Sequence, residues 1–217
     1  MPRTILFIDN WPEFHPRGFF QDRFHEIPVC AEANGCAVTV VHHSAVDPEE
    51  WIAKPPGAIL LSGSRLNIVD EPSEDPINGA PLVRFAAVTE LLARLPSVPT
   101  LGICFGHQYL AKAAGGTLAK MATARDEPDF EIAFAERHPL LDGLPERPRF
   151  VESHGWRVER PGADFRTIAT SPDGVEMVVH RTLPRIGVQF HPEYYPRQSP
   201  ETRHGRRFLE NWLRSLT

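Results

Sequence analysis

The densest chemistry in this chain lies in Leu101-Gly102-Ile103-Cys104-Phe105-Gly106-His107-Gln108. An apolar strand pattern runs straight into a helix predicted over Gln108–Ala114 and stopped by Gly115-Gly116, with Cys104 at the turn. Gly102 and Gly106 flank the cysteine at i−2 and i+2. Such small neighbours permit a sharp, strained turn that lifts the nucleophile out of the sheet. At a helix N-terminus the thiol meets the positive end of the dipole, which favours thiolate, as would a nearby imidazolium. The Phe105 N–H points where an oxyanion would form. The pattern Gly-x-Cys-x-Gly-x-Gln should arise by chance in about 3 of 10,000 chains of this composition. The ordinary alternative is a buried structural cysteine.

A thiol nucleophile needs a base, and the base needs an orienting group. Ile186-Gly187-Val188-Gln189-Phe190-His191-Pro192-Glu193 is a second strand pattern that ends in both. At spacing i, i+2 in an extended segment, His191 and Glu193 lie on the same side, so the carboxylate can fix the imidazole tautomer. Alone, His-x-Glu is more often a surface pair. Together with the cysteine turn it predicts a Cys104–His191–Glu193 triad. The remaining histidines, among them His42, His43, His107, His138, His154 and His180, match no metal-ligand spacing and read as structural or exposed. No metal site is predicted, and nothing calls for an organic cofactor.

These residues must be carried by a scaffold. Thr4–Ile8, Ala37–Val41, Ala58–Leu61 and Thr100–Ile103 are apolar on both faces, as strands of a covered parallel sheet are. Helical patterns alternate with them: 18–33 interrupted at Pro28 and stopped by Gly35, a short helix opened by Asp47-Pro48, and Pro81–Leu95. The second half holds short strand patterns near 131–134, 150–151, 166–169, 175–180 and 185–190. An amphipathic helix follows from Ser199 to Leu216, with Phe208, Leu209, Trp212 and Leu213 on its buried face. The predicted fold is α/β: an open, mostly parallel twisted sheet of flavodoxin-like type, flanked by helices on both faces, with antiparallel strands at one edge. One domain spans 1–217. Ser62–Gly79 reads as a long loop at the C-terminal end of a strand, where open α/β sheets bind ligands. Its acidic run Asp70–Asp75 reads as solvated surface or a docking face.

Composition closes off other classes. With 217 residues, 41% apolar and a net charge of −5, the chain can build a core and has no basic run, which disfavours nucleic acid and anionic membrane as partners. No stretch of about 18 apolar residues offers a membrane span. The N-terminus meets Asp9 before any leader core could form. Three cysteines make no paired disulfide framework, so a reducing cytoplasm is the expected location.

The cysteine turn and Phe190-His191-Pro192-Glu193 together resemble the class I glutamine amidotransferases, and the likeness extends over nearly the whole chain. Ile5-Leu6-Phe7-Ile8-Asp9-Asn10-Trp11 is similar to the opening strand of anthranilate-synthase-type members. Leu60-Leu61-Ser62-Gly63-Ser64 sits where the family has its oxyanion loop. Glu152-Ser153-His154-Gly155-Trp156 sits where its backbone holds the amino-acid end of glutamine. The resemblance implies that Cys104 attacks the glutamine side-chain amide, that His191 shuttles protons and that Glu193 orients it. It also implies an oxyanion hole from the N–H groups of Phe105, Gly63 and Ser64, and substrate binding by Gln108, Gly155 and Trp156. Ser64 departs from the family's second glycine; it keeps an N–H but resists positive φ. The chain has the size of a glutaminase unit alone, so the implied partner is a separate synthase or synthetase that accepts ammonia. A γ-glutamyl hydrolase or peptidase on the same scaffold, and a non-catalytic binding domain, stay open beside it.

Overall fold

Strand β1 (Arg3–Asp9) carries Ile-Leu-Phe-Ile at its centre, and all four side chains are fully buried. Alternation sends Ile5 and Phe7 to one face of the sheet and Leu6 and Ile8 to the other, into two separate hydrophobic clusters. A computed structural model of the chain describes residues 3–12, 24–69 and 80–216. Its central sheet has eight strands in the order β2-β1-β3-β6-β12-β11-β10-β8. The first five, β2 (Cys36–His42), β1, β3 (Ala58–Leu61), β6 (Thr100–Ile103) and β12 (Arg185–Val188), are mutually parallel. The last three, β11 (Gly174–His180), β10 (Phe165–Ser171) and β8 (Ala133–Phe134), pair antiparallel and extend one edge. This is the α/β architecture expected from the sequence.

Helices cover both faces. On the side of Ile5 and Phe7 lie α1 (Glu26–Ala33) and α5 (His204–Ser215), whose Phe208, Leu209, Trp212 and Leu213 are buried as their spacing predicts. On the other side lie α3 (Ala86–Arg94) and α4 (Phe105–Ala113), packing Val88, Leu91, Tyr109 and Leu110 against Ile59 and Leu61. The short α2 (Pro48–Ala53) is capped as predicted: the Asp47 carboxylate accepts from the Glu49 N–H at 3.0 Å, with Pro48 in the first turn. Among the described residues, no helix is long and apolar enough to cross a membrane.

Several boundaries differ from the sequence reading. Pro28 sits in the first turn of α1, where a missing N–H costs nothing, and does not interrupt it; residues 18–23 lie outside the described residues. A 3₁₀ turn, Leu82–Phe85, precedes α3. Helix α4 begins three residues before Gln108, because Gln108 N–H already donates to the Cys104 carbonyl at 3.0 Å. The Ser199 hydroxyl pairs with Thr202 and forms no cap, so a 3₁₀ turn comes first and α5 starts only at His204. Strand β7 (Thr117–Glu131) has no counterpart among the strand patterns of the sequence. It pairs antiparallel with β9 (Arg149–Arg160) in a two-stranded ribbon separate from the main sheet. The loop after β3 also holds order: β4 (Ile68–Val69) pairs with β5 (Ala80–Pro81). The acidic run Asp70–Asp75 lies outside the described residues.

Candidate active site

Adjacent parallel strands deliver the site. β3, β6 and β12 are neighbours, so the segments leaving their C-terminal ends, Ser62–Ser64, Cys104 and Gln189–Glu193, converge at one edge. Cys104 continues the ladder, its N–H donating to the Val188 carbonyl at 2.8 Å, and its backbone then reverses with φ 49° and ψ −100°. It is the only non-glycine residue with positive φ among the described residues. Strain of this kind costs about 1–3 kcal/mol and persists only where the surroundings enforce it. The enforcement is visible in the glycines. A Cβ on Gly102 would lie 2.5 Å from the Gly106 carbonyl oxygen, and one on Gly106 would lie 2.5 Å from that of Leu61. Helix and strands approach so closely at this turn that neither position admits a side chain.

The thiol is buried, as are His191 and Glu193. His191 Nδ1 donates to Glu193 Oε1 at 2.8 Å, and the ring lies beside Cys104: a Cβ built on Gly63 would meet His191 Cε1 at 2.8 Å and Cys104 Cβ at 3.6 Å. Burial pushes the imidazole pKa down, but the Glu193 carboxylate and the Cys104 sulfur push it up harder, and the ring holds its proton well above the ordinary range. Three contacts fix the ring in place. The His191 N–H donates to the Val151 carbonyl at 2.8 Å, Tyr194 stacks on the ring at 4.4 Å, and Gly63 leaves it room, since a Cβ there would meet His191 Cε1 at 2.8 Å. Ser64 needs no positive φ. Its hydroxyl accepts from the Leu66 N–H at 3.0 Å and closes the loop in a local turn.

The sulfur opens into a cleft of about 580 Å³, whose walls include Trp11, Arg65, Lys120, Trp156 and Tyr194. Gly155 and Trp156 line it from ribbon strand β9, and Gln108 from α4. Gln108 Nε2 donates to the Trp156 carbonyl at 2.9 Å and to Gln189 Oε1 at 3.2 Å, so this side chain ties the ribbon to the end of β12. His107 turns away into the core, where burial lowers its pKa to about 4 and its Nε2 bonds the Val175 carbonyl.

Two features escape the sequence reading. Gln189, nearly fully buried, donates to the Cys104 sulfur at 3.6 Å. The available signal is its i−2 spacing from His191, which puts both on one side of an extended strand. Behind the cleft, Glu152, His154 and Glu176 form a buried cluster with ligand atoms within 4.8 Å of one another. His154, expected to be merely structural or exposed, lines the cleft.

A strained cysteine at a strand–helix turn, beside a carboxylate-oriented histidine, is an arrangement that can carry out nucleophilic acyl transfer. The profile of the family described as glutamine amidotransferase class-I matches residues 24–215. The chain belongs to the class I glutamine amidotransferases. Anthranilate synthase component 2 of Methanothermobacter marburgensis is 30% identical, over 99% of this chain and 100% of that protein. A subunit of the glutamine-hydrolysing GMP synthase of Methanothermobacter thermautotrophicus is also 30% identical, over 96% of this chain and 95% of that one. A solved structure of a candidate GMP synthase subunit from Thermoplasma acidophilum superposes with a TM-score of 0.76, covering 100% of this chain and 94% of that one. At 21% identity that superposition speaks to the amidotransferase fold.

Proposed function

We propose that this amidotransferase hydrolyses the side-chain amide of L-glutamine through a γ-glutamyl thioester on Cys104 and passes the ammonia to a separate synthase or synthetase. The observation that carries the reading is the strained Cys104 turn beside an imidazole whose Nδ1 is bonded to Glu193. The thiolate attacks the amide carbon, forming the S–C bond and placing negative charge on the carbonyl oxygen. That oxygen is received by the N–H of Phe105, which has no acceptor within the first turn of α4, and by N–H groups of Gly63 and Ser64. His191 gives its proton to the leaving nitrogen, the C–N bond breaks, and ammonia departs. Water then attacks the thioester with His191 as base, and glutamate leaves. The amino-acid end of the substrate rests against the Gly155–Trp156 backbone and the Gln108 side-chain oxygen. The two relatives above are named for different synthases at the same identity, so overall likeness does not select the ammonia acceptor. Three unpaired thiols, Cys30, Cys36 and Cys104, fit a reducing cytoplasm.

A second reading, hydrolysis of larger γ-glutamyl compounds, is favoured by the cleft. About 580 Å³ is the size of a pocket for a drug-sized ligand and more than a free amino acid fills. One experiment tests both. A diazoketone analogue of glutamine should add one label to the intact protein, absent from Cys104→Ala. A panel of glutamine, glutathione and γ-glutamyl amines, assayed with and without cell extract, then separates partner-stimulated glutaminase from autonomous hydrolase. Normal glutamine turnover by Cys104→Ala would refute both.

A further inference from the structure

The wall that faces Cys104 is held from behind by a single file of side chains. It begins at the Trp156 carbonyl, to which His154 Nδ1 is bonded at 2.8 Å. A carbonyl can only accept, so Nδ1 carries the hydrogen, and in the neutral ring Nε2 presents a lone pair. That lone pair faces Glu152 Oε2 at 3.0 Å, with the His154 and Glu152 side chains 2% and 0% exposed. Two lone pairs at that distance repel, so with the ring neutral Oε2 supplies the proton. One polar atom each of Glu152, His154 and Glu176 lies within 4.8 Å of the others, and two buried carboxyl groups so close repel unless a proton is placed between them. Glu176 Oε1 takes the last link from the Ser171 hydroxyl at 2.5 Å.

With a proton on Glu176 directed at Glu152, every donor has one acceptor and the direction never reverses: Ser171 to Glu176, Glu176 to Glu152, Glu152 to His154, His154 to the Trp156 carbonyl. The protons also satisfy buried carboxyl and imidazole atoms that otherwise have no partner.

We propose that Glu152 and Glu176 are positioning residues of the glutaminase site, two neutral carboxylic acids in a one-way hydrogen-bond chain that fixes His154 and the Trp156 carbonyl. The proposal rests on the reading that the Gly155–Trp156 backbone receives the substrate. The charges around the chain agree with it. Asp173, in the β10–β11 turn, is neutralised by Arg125 of β7 at 2.7 and 2.9 Å. Glu127 of β7 stands opposite Glu152 in the ribbon register. His191 is the other cation that acts on Glu152 and His154, and it already pairs with Glu193. Among the described residues no cation is thereby dedicated to the two buried carboxylates, so neutrality is the state the site supports. Burial raises the Glu152 pKa to about 8 and the Glu176 pKa well above the ordinary range, and it lowers that of His154.

The test is steady-state glutaminase kinetics on wild type, Glu152→Leu, Glu152→Gln and Glu176→Gln from pH 6 to 9.5. Leucine leaves His154 Nε2 unpaired and should raise KM for glutamine about tenfold or more, with a smaller change in kcat. Glutamine at 152 can donate to His154 and accept from Glu176, and should recover most of that loss. Wild-type KM should rise above about pH 8 as Glu152 ionises, whereas Glu152→Gln should stay flat. Three results would overturn the proposal: Glu152→Gln as impaired as Glu152→Leu, which means a charged pair; an unchanged KM in Glu152→Leu; or one equivalent of zinc bound by wild type and lost in Glu176→Gln, which means a metal ion in place of protons. If Glu152→Leu does not fold, the pH profiles of wild type and Glu152→Gln decide the matter. Failure of the glutaminase reading is separately visible as absent diazoketone labelling of wild type.

Discussion

Gly63→Ala is a one-carbon change aimed first at His191, the proposed base. The added Cβ would lie 2.8 Å from His191 Cε1, roughly 0.6 Å inside ordinary carbon–carbon contact, and 3.6 Å from Cys104 Cβ, which is tolerable. The ring has little room to yield. Its Nδ1 is bonded to Glu193 at 2.8 Å, its face is stacked on Tyr194, and its backbone is bonded to Val151. Relief must therefore come from tilting the imidazole relative to the sulfur or from lifting the Ser62–Ser64 loop. Either disturbs a group on which the acyl transfer depends. Misplacement of this size costs roughly 10- to 100-fold in rate. We expect kcat for glutamine hydrolysis to fall by that factor with a far smaller change in KM, and diazoketone labelling of Cys104 to slow in parallel. Stability should drop by about 1–3 kcal/mol, the ordinary cost of overpacking. A kcat within threefold of wild type in a folded Gly63→Ala protein would refute the assignment of this glycine to the space beside His191.

Two further outcomes follow from strain and from burial. Both Cys104→Gly and Cys104→Ala should be inactive, but glycine should be the more stable of the two by about 1–2 kcal/mol in urea denaturation, because only glycine relaxes at φ 49°; equal midpoints would mean the turn is unstrained. Glu152 keeps its proton to about pH 8 when folded but loses it near 4.5 when unfolded, so its contribution to stability is complete below 4.5 and is lost as pH rises towards 8. Glu152→Gln should match wild type near pH 4.5 and exceed it by up to about 3 kcal/mol at pH 7, and a gap that does not vary with pH would contradict this.

What the sequence makes legible follows physical lines. Strands β1, β3 and β6 are buried on both faces and advertise themselves as unbroken apolar runs. The proximity of Cys104 to His191 can be read because each residue ends such a run and the two runs pair side by side. The β7–β9 ribbon leaves no comparable mark. Lys120, Arg125, Asp126 and Glu127 lie along β7, which stands away from the sheet and has no continuous buried face, so its sequence reads as loop. The acid chain is invisible for a different reason. Glu152 and Glu176 come from separate strands that only the tertiary fold brings together, and a lone glutamate in a strand pattern predicts exposure, not burial. Ser64 shows the opposite error: its side chain suggests a loop in difficulty, whereas the backbone there never enters the region that serine resists.

The reacting groups and the surfaces that greet incoming molecules belong to different parts of this chain. Cysteine and imidazole sit just past the ends of two neighbouring strands of the sheet, where a shift of one residue would turn every side chain inside out. Much of the mouth of the cleft is furnished by a projecting β-hook and a surface loop, neither of which lies in the main sheet. Substitutions can therefore accumulate at the entrance, changing what is admitted or who docks there, while the bond-breaking step underneath is left undisturbed.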